Sequence, residues 1–334
     1  MGYTWTSRDQ QVSELTQWPL EIQPTSQAHQ GSGGVAGYVW PSDGSQHILY
    51  IDKSGHVQEL WSLKNSPHNW SRNDLMNATS APRAAGVDAR PHGYVWEGDS
   101  DGSSQHAVYV SEDLHVRELW NRPGGWHPSD LTGVAGAPLA RAGTTPFGYV
   151  WERDPNSSSQ HVVYVDGGGR VQDLWFRNNA RSWHCNDLIT ATSDPWRASY
   201  TPLVNSRSVG CYVWDSDPSG SSQHVVYVGA DSDVHEFWFN AGERAWHHNN
   251  LSSAARAPDA LAADTPYGYA WERDPGGSSQ HVLYQGVDAH VHELWFSASD
   301  RSWHHNDLTK ATGARPTSGT AFGYACDNDP QGVG

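Results

Sequence analysis

The sequence predicts an all-β chain: a six-bladed β-propeller whose blades are four-stranded antiparallel sheets. Three observations predict it. A unit of 55 to 62 residues recurs five times, each unit holds four short β-rich runs, and the two chain ends read as parts of one further unit. Units of that period bury their faces against neighbours and so stack into rings or solenoids.

The first run of each unit is Gly-Tyr-Val-Trp, with glycine-led starts at Gly37, Gly93, Gly148, Gly210 and Gly268 and one more at Gly323. A polar turn follows, such as the one through Asp99, Ser100, Asp101 and Gly102. The second run reads Gln-His-Val-Val-Tyr-Val at 160–165, and Gly167, Gly168 and Gly169 lead to a third at 171–176. The fourth opens on a tryptophan, as at Trp126, and closes on Asp130 and Leu131. β-Branched and aromatic runs between turn formers are strand signals, and no stretch of ten residues keeps a helical period.

Four strands at this length describe a propeller blade. Blades are expected at about 37–92, 93–147, 148–209, 210–267 and 268–322, all within one domain, 1–334. The ends set the blade number. Residues 4–15 align without gaps on 226–237, a second and third strand, and Trp18 opens a fourth. Residues 323–326 supply a first strand without the other three. Together, 1–36 and 323–334 make a sixth blade in a 3+1 closure, which removes open sheet edges. The third unit is longer, because 193–209 carries an insertion with Pro195, Trp196, Tyr200 and Pro202. A surface loop is expected there; a lid over one pocket is the sharper reading.

Tryptophan, 18 in all, belongs to the unit, and the 33 glycines and 19 prolines suit many tight turns. The net charge is −16 with 19 histidines taken as neutral, so the surface charge should respond strongly between about pH 7 and 5. An acidic chain without a basic run argues against nucleic acid as partner. No apolar stretch approaches the roughly 18 residues needed to span a bilayer. Residues 1–30 lack a basic start followed by an apolar run, so no signal peptide is visible; cytoplasmic residence or unconventional secretion is the expectation. Cys185, Cys211 and Cys326 show no CxxC spacing, so reduced thiols are expected and a zinc site is not.

The strongest constellation is a histidine and an acid twelve residues apart in every unit. The pairs are His47 with Glu59, His106 with Glu118, His161 with Asp173, His224 with Glu236, and His281 with Glu293. A fixed hairpin would keep them at or near cross-strand reach. There they either contact a hydroxylated ligand or lock the hairpin; both readings stay open. Tryptophans end strand one (Trp40, Trp96, Trp151, Trp214, Trp271), end strand three (Trp61, Trp120, Trp175, Trp238, Trp295) and open strand four (Trp70, Trp126, Trp183, Trp246, Trp303). At least one set is core, and the strand-four set is the candidate for stacking on a sugar in an inter-blade cleft.

The His304–Asp307 run looks like a metal cluster, but adjacent strand residues point to opposite faces, so no shared ion is expected. The aspartate before leucine (Asp74, Asp130, Asp187, Asp307; Asn250 in the fourth unit) is read as a turn cap. There is no GxSxG elbow, phosphate loop or HExxH, and no cofactor is implied.

The six blades, the 3+1 closure and the twelve-residue pair resemble the fungal fucose-specific lectin family over nearly the whole chain. The resemblance implies fucose-like glycans bound between blades, and a homodimer. It places a sugar-binding glutamate at Glu59, Glu118, Glu236 and Glu293, with Asp173 in one unit. The family's strand-two arginine is replaced by His47, His106, His161, His224 and His281. Gly2 stands opposite Glu14, which leaves the sixth site dead and up to five live. Three functions are carried forward: a multivalent lectin; an enzyme (cyclase, pericyclase or lyase) with one asymmetric pocket near Trp196 or the split blade; and a protein-interaction scaffold.

Overall fold

The computed structural model describes residues 29–30 and 34–323, apart from 67–68, 87–89, 123, 193–202, 207 and 263. Five antiparallel sheets follow one another along the chain, each with its strands in sequence order. Blade 2 is built from His92–Trp96, Ser104–Val110, Val116–Arg122 and Gly125–Asp130. Blade 4 is built from Gly210–Trp214, Ser222–Val228, Val234–Asn240 and Trp246–Asn250. Successive blades touch through their first strands, which form the hub. Blade 1 has a fifth strand that the repeat does not foresee: His29–Gln30 pairs antiparallel with Val35–Trp40. The backbone groups on that sheet edge take the incoming chain as partner. The split blade lies almost wholly outside the described residues, and of the insertion at 193–209 only 203–206, 208 and 209 lie within them.

Each interface between blades repeats two side-chain bonds, and these account for the Ser-Ser-Gln-His motif. The strand-one tryptophans Trp96, Trp151 and Trp214 are buried. Their indole N–H groups donate to Ser158, Ser221 and Ser278 of the next blade at 2.7, 2.7 and 2.5 Å. The strand-one tyrosines Tyr94, Tyr149 and Tyr212 donate to Gln160, Gln223 and Gln280 at 2.9, 2.6 and 2.6 Å. The first serine and the glutamine of each motif therefore serve the preceding blade. The strand-one tryptophans are the structural set.

The glycine beside the strand-one tyrosine in blades 2, 3 and 5 is there for close approach to the tyrosine of the preceding blade. A Cβ on Gly148 would come within 2.1 Å of a Tyr94 ring carbon. Blade 4 departs from this pattern. Register pairs Cys211, not Gly210, with Val225, just as Gly148 pairs with Val162 and Gly268 with Val282. The glycine-led start at Gly210 is thus one residue early, and Cys211 fills the place kept for glycine elsewhere. Its thiol is buried in the core that also holds Tyr149, and burial pushes its pKa up. That makes it a packing residue. Cys185 is likewise free and is pushed up to about 12, mainly by burial.

Every fourth strand runs into a helix of four or five residues: Leu75–Thr79, Leu131–Ala135, Leu188–Ala191, Leu251–Ala255 and Leu308–Thr312. Such helices are too short to leave a periodic signature. Asp74, Asp130, Asp187, Asn250 and Asp307 are their N-caps, each accepting from the amide three residues on. The expected turn caps are helix caps. At Asp307 partial burial raises the pKa, but the Lys310 amide and the His290 imidazole outweigh it and hold the carboxyl below its ordinary value.

A depressed carboxyl contributes stability that is complete above the unfolded value of about 4 and fades as pH falls through the folded value. Asp307→Ala is therefore expected to cost about 1 kcal/mol near neutral pH. In urea titrations the gap between wild type and variant should close on acidification below about pH 4. A gap that persists undiminished into strong acid would contradict the cap's ionic character.

Candidate inter-blade binding site

Strand pairing sets the geometry of the histidine–acid pairs. His47 lies directly opposite Trp61, and Glu59 opposite Leu49, so histidine and acid are diagonal neighbours on one face. The face is the one turned toward the next blade. Their Nδ1–carboxylate distances are 2.8, 2.8, 3.0, 2.7 and 2.8 Å in blades 1 to 5.

The other ring nitrogen is also engaged. His47, His106, His161, His224 and His281 bond through Nε2 to Ser45, Ser104, Ser159, Ser222 and Ser279 at 2.6 to 3.0 Å. Each imidazole stacks nearly parallel on its strand-one tyrosine, as His224 does on Tyr212 at 4.7 Å and 6°. Histidines, acids and serines are all buried.

The second carboxylate oxygen is held as well, by Asn73, Asn249 and Asn306 on Glu59, Glu236 and Glu293 at 2.6, 3.2 and 2.8 Å. Asp173 is one methylene shorter, and its Oδ2 is buried without a partner. Burial, with Glu236 beside it, raises the Tyr212 phenol well above its ordinary value, so it remains a donor to that cluster. Serine, histidine and acid have the connectivity of a nucleophilic triad. A nucleophile has to meet its substrate, and these serine hydroxyls are enclosed.

The strand-four tryptophans do not behave as one set. Trp70 is 45% exposed and Trp246 only 6%. Trp126, Trp183 and Trp303 lie between these extremes. Strand-three tryptophans stack on strand-four histidines instead: Trp120 on His127, Trp175 on His184, Trp238 on His247 and Trp295 on His304, at 4.2 to 4.4 Å. His304 stacks on Trp295 while its neighbour His305 bonds to His292 at 2.9 Å, so the two histidines point apart as expected.

Two groups offer three potential metal-ligand atoms each: Asp231, Asp233 and His235, and Asp288, His290 and Asp307. In the second, His290 bonds to Asp307 at 2.9 Å. The same contact recurs as His56 with Asp74 and His115 with Asp130, tying the hairpin to the helix cap. Recurrence of the lock in blades without such a group favours a structural role.

A cleft of about 290 Å³ opens between blades 4 and 5. Blade 4 contributes Trp214, His224, Glu236 and Trp238, and blade 5 contributes Arg301 and Trp303. It joins a strand-two histidine, a strand-three acid and the strand-four tryptophan of the following blade. Its size is at the small end of ligand pockets, which run from about 300 to 1,000 Å³. Arg301 is one of the members that the sequence reading missed. It stands two residues before Trp303 with φ 56°, and Arg181 and Arg244 hold the same place before Trp183 and Trp246 at 51° and 56°. That recurrence was the available signal.

These blades define the chain as a β-propeller. Among solved structures it is similar to a lectin from Burkholderia pseudomallei, at 14% identity over 87% of this chain and 73% of that one, with a TM-score of 0.57. It is also similar to an arginine-to-alanine triple mutant of AofleA from Arthrobotrys oligospora (15% identity, 85% and 74% coverage, TM-score 0.56). A third is the lectin of Aleuria aurantia (12% identity, 86% and 83% coverage, TM-score 0.52), described as a six-bladed β-propeller with a novel mode of fucose recognition. No protein-family model matches the chain, and no curated protein matches it by sequence. Among the described residues no helix is long and apolar enough to cross a membrane.

Proposed function

We propose that the chain is a multivalent carbohydrate-binding lectin whose sites are the clefts between blades. The cleft between blades 4 and 5 carries the reading. Indole faces at Trp238 and Trp303 suit the apolar C–H face of a sugar. Asp217 and Arg301 beside them suit its hydroxyls. The buried His224–Glu236 pair shapes the floor. Structures that share the fold include proteins named as lectins, one with a described mode of fucose recognition, which makes fucose-like glycans the first to try.

A sixth blade formed by both chain ends belongs to this reading. It is supported by Gly323, whose Cβ would meet Tyr269 at 2.5 Å and Leu283 at 2.7 Å. Gly93 meets the equivalent Tyr38 and Leu49 of blade 1 at 2.4 and 2.8 Å, so the packing of Gly323 is that expected of the start of another first strand.

A glycan array followed by calorimetric titration tests the function. Several bound sugars per chain are expected, with affinity for a single sugar in the millimolar to micromolar range of about −4 to −8 kcal/mol. Display on a surface should strengthen it through multivalency. No glycan bound at millimolar concentration would end the proposal.

A further inference from the structure

The clefts differ most in whether their polar groups are already satisfied. Between blades 4 and 5 the guanidinium of Arg301 has no hydrogen-bond or ion-pair partner among the described residues, and it lines the cavity. Trp238 lines the same cavity, and its buried indole N–H has no hydrogen-bond partner among the described residues, as is also the case at Trp61 and Trp175. Ser219 and Ala298, both small, complete that wall.

The cleft between blades 2 and 3 carries the same scaffold with every one of these groups occupied. Arg181, the counterpart of Arg301, holds Asp101 with two bonds, Nη1 to Oδ1 at 3.1 Å and Nη2 to Oδ2 at 2.6 Å. Trp120, the counterpart of Trp238, donates to Ser129 at 3.1 Å. Asn178, standing where blade 5 has Ala298, donates to the Gly98 carbonyl at 2.7 Å and accepts from the Ser100 amide at 3.0 Å. Asp101 itself stands where blade 4 has Ser219, and Arg122 holds it from its own blade at 3.0 Å.

We infer that the left-handed arginine two residues before the strand-four tryptophan is the polar group that contacts ligand, and that Asp101 is a built-in competitor closing the cleft between blades 2 and 3. This rests on the saccharide reading and assigns roles within it. The histidine–acid pair has spent its polar atoms on its own blade, so it positions the wall without donating to ligand. A guanidinium presents a planar fork of N–H groups that donates to two neighbouring oxygens at once. The two oxygens of Asp101 occupy that fork on Arg181; two adjacent hydroxyls of a sugar take it on Arg301. The arginine comes from the blade that also supplies the stacking tryptophan, so one loop sets both contacts. Asp101 and Arg181 are both exposed, and an exposed pair is weak enough for a change of one residue to release it.

The test is calorimetric titration of wild type, Arg301→Ala and Asp101→Ser with methyl α-L-fucoside, D-galactose and D-mannose. All changed side chains are exposed, and thermal melting should match across the three proteins. For a sugar that binds, Arg301→Ala should weaken one site per chain by about tenfold or more, as expected for loss of a charged hydrogen bond. Asp101→Ser should add one site per chain to the tight class. Sugar binding with affinity and stoichiometry untouched by both changes would overturn this inference and leave the lectin reading standing. No binding of any of the three sugars by wild type or by Asp101→Ser would overturn both.

Discussion

His224→Ala is expected to lower the unfolding free energy by about 3–5 kcal/mol, the usual cost of removing one member of a buried acid–base pair. The imidazole bonds Glu236 at 2.7 Å and Ser222 at 2.8 Å while its face covers Tyr212. Its loss strands a buried carboxylate whose remaining partners, Asn249 and Tyr212, stand at 3.2 and 3.3 Å. Urea denaturation of wild type and variant measures the difference. A loss below about 1 kcal/mol would mean the pair is close to the energy of an exposed contact, contrary to its burial.

The second large effect falls on binding. Trp303→Ala is expected to weaken sugar binding at the blade 4/5 cleft about thirtyfold, the scale of an aromatic hot spot worth about 2 kcal/mol. Melting should fall less than for a fully buried tryptophan, because the indole is only half-buried on the cleft wall, against Phe296 and the edge of the core that holds Tyr212. The equivalent change Trp246→Ala is the control. That indole is 6% exposed, lies in a core with Phe237 and Ile189, and has Phe239 at 5.6 Å. It should cost about 3–5 kcal/mol of stability as other buried aromatics do. Calorimetry of binding and of unfolding on both variants separates the roles. Equal loss of binding with stable folds in both would make the strand-four set a uniform ligand surface after all.

Much of the blade was legible because its signals are local. Alternating β-branched and aromatic runs between turn residues predict strands, and the strands lie where those runs are. The twelve-residue interval placed histidine and acid on one hairpin, and the period of two kept His304 and His305 apart. Beside the extra strand of blade 1 and Arg301, three features escaped. The capped helices after each fourth strand are shorter than the window in which helical periodicity can be seen. The one-residue offset between Gly210 and Cys211 depends on pairing with Val225, which glycine-led matching cannot register. The serine on each histidine depends on side-chain geometry across two residues of one strand, hidden within a motif that also serves the neighbouring blade.

By itself the chain's sequence determined the repeat, the antiparallel hairpins and the chemical inventory of each blade, because neighbours along a strand are dictated by a period of two. Only the tertiary structure decided which members of that inventory face a cavity. His224 and Trp303 recur with equal regularity and both line the cleft, yet His224 has its two ring nitrogens bonded within its own blade while Trp303 offers a half-buried indole to the space. Exposure is a property of the adjoining blade: Asp101 and Asn178 close one gap where Ser219 and Ala298 leave another open, and the contacts that make this difference join residues some eighty positions apart.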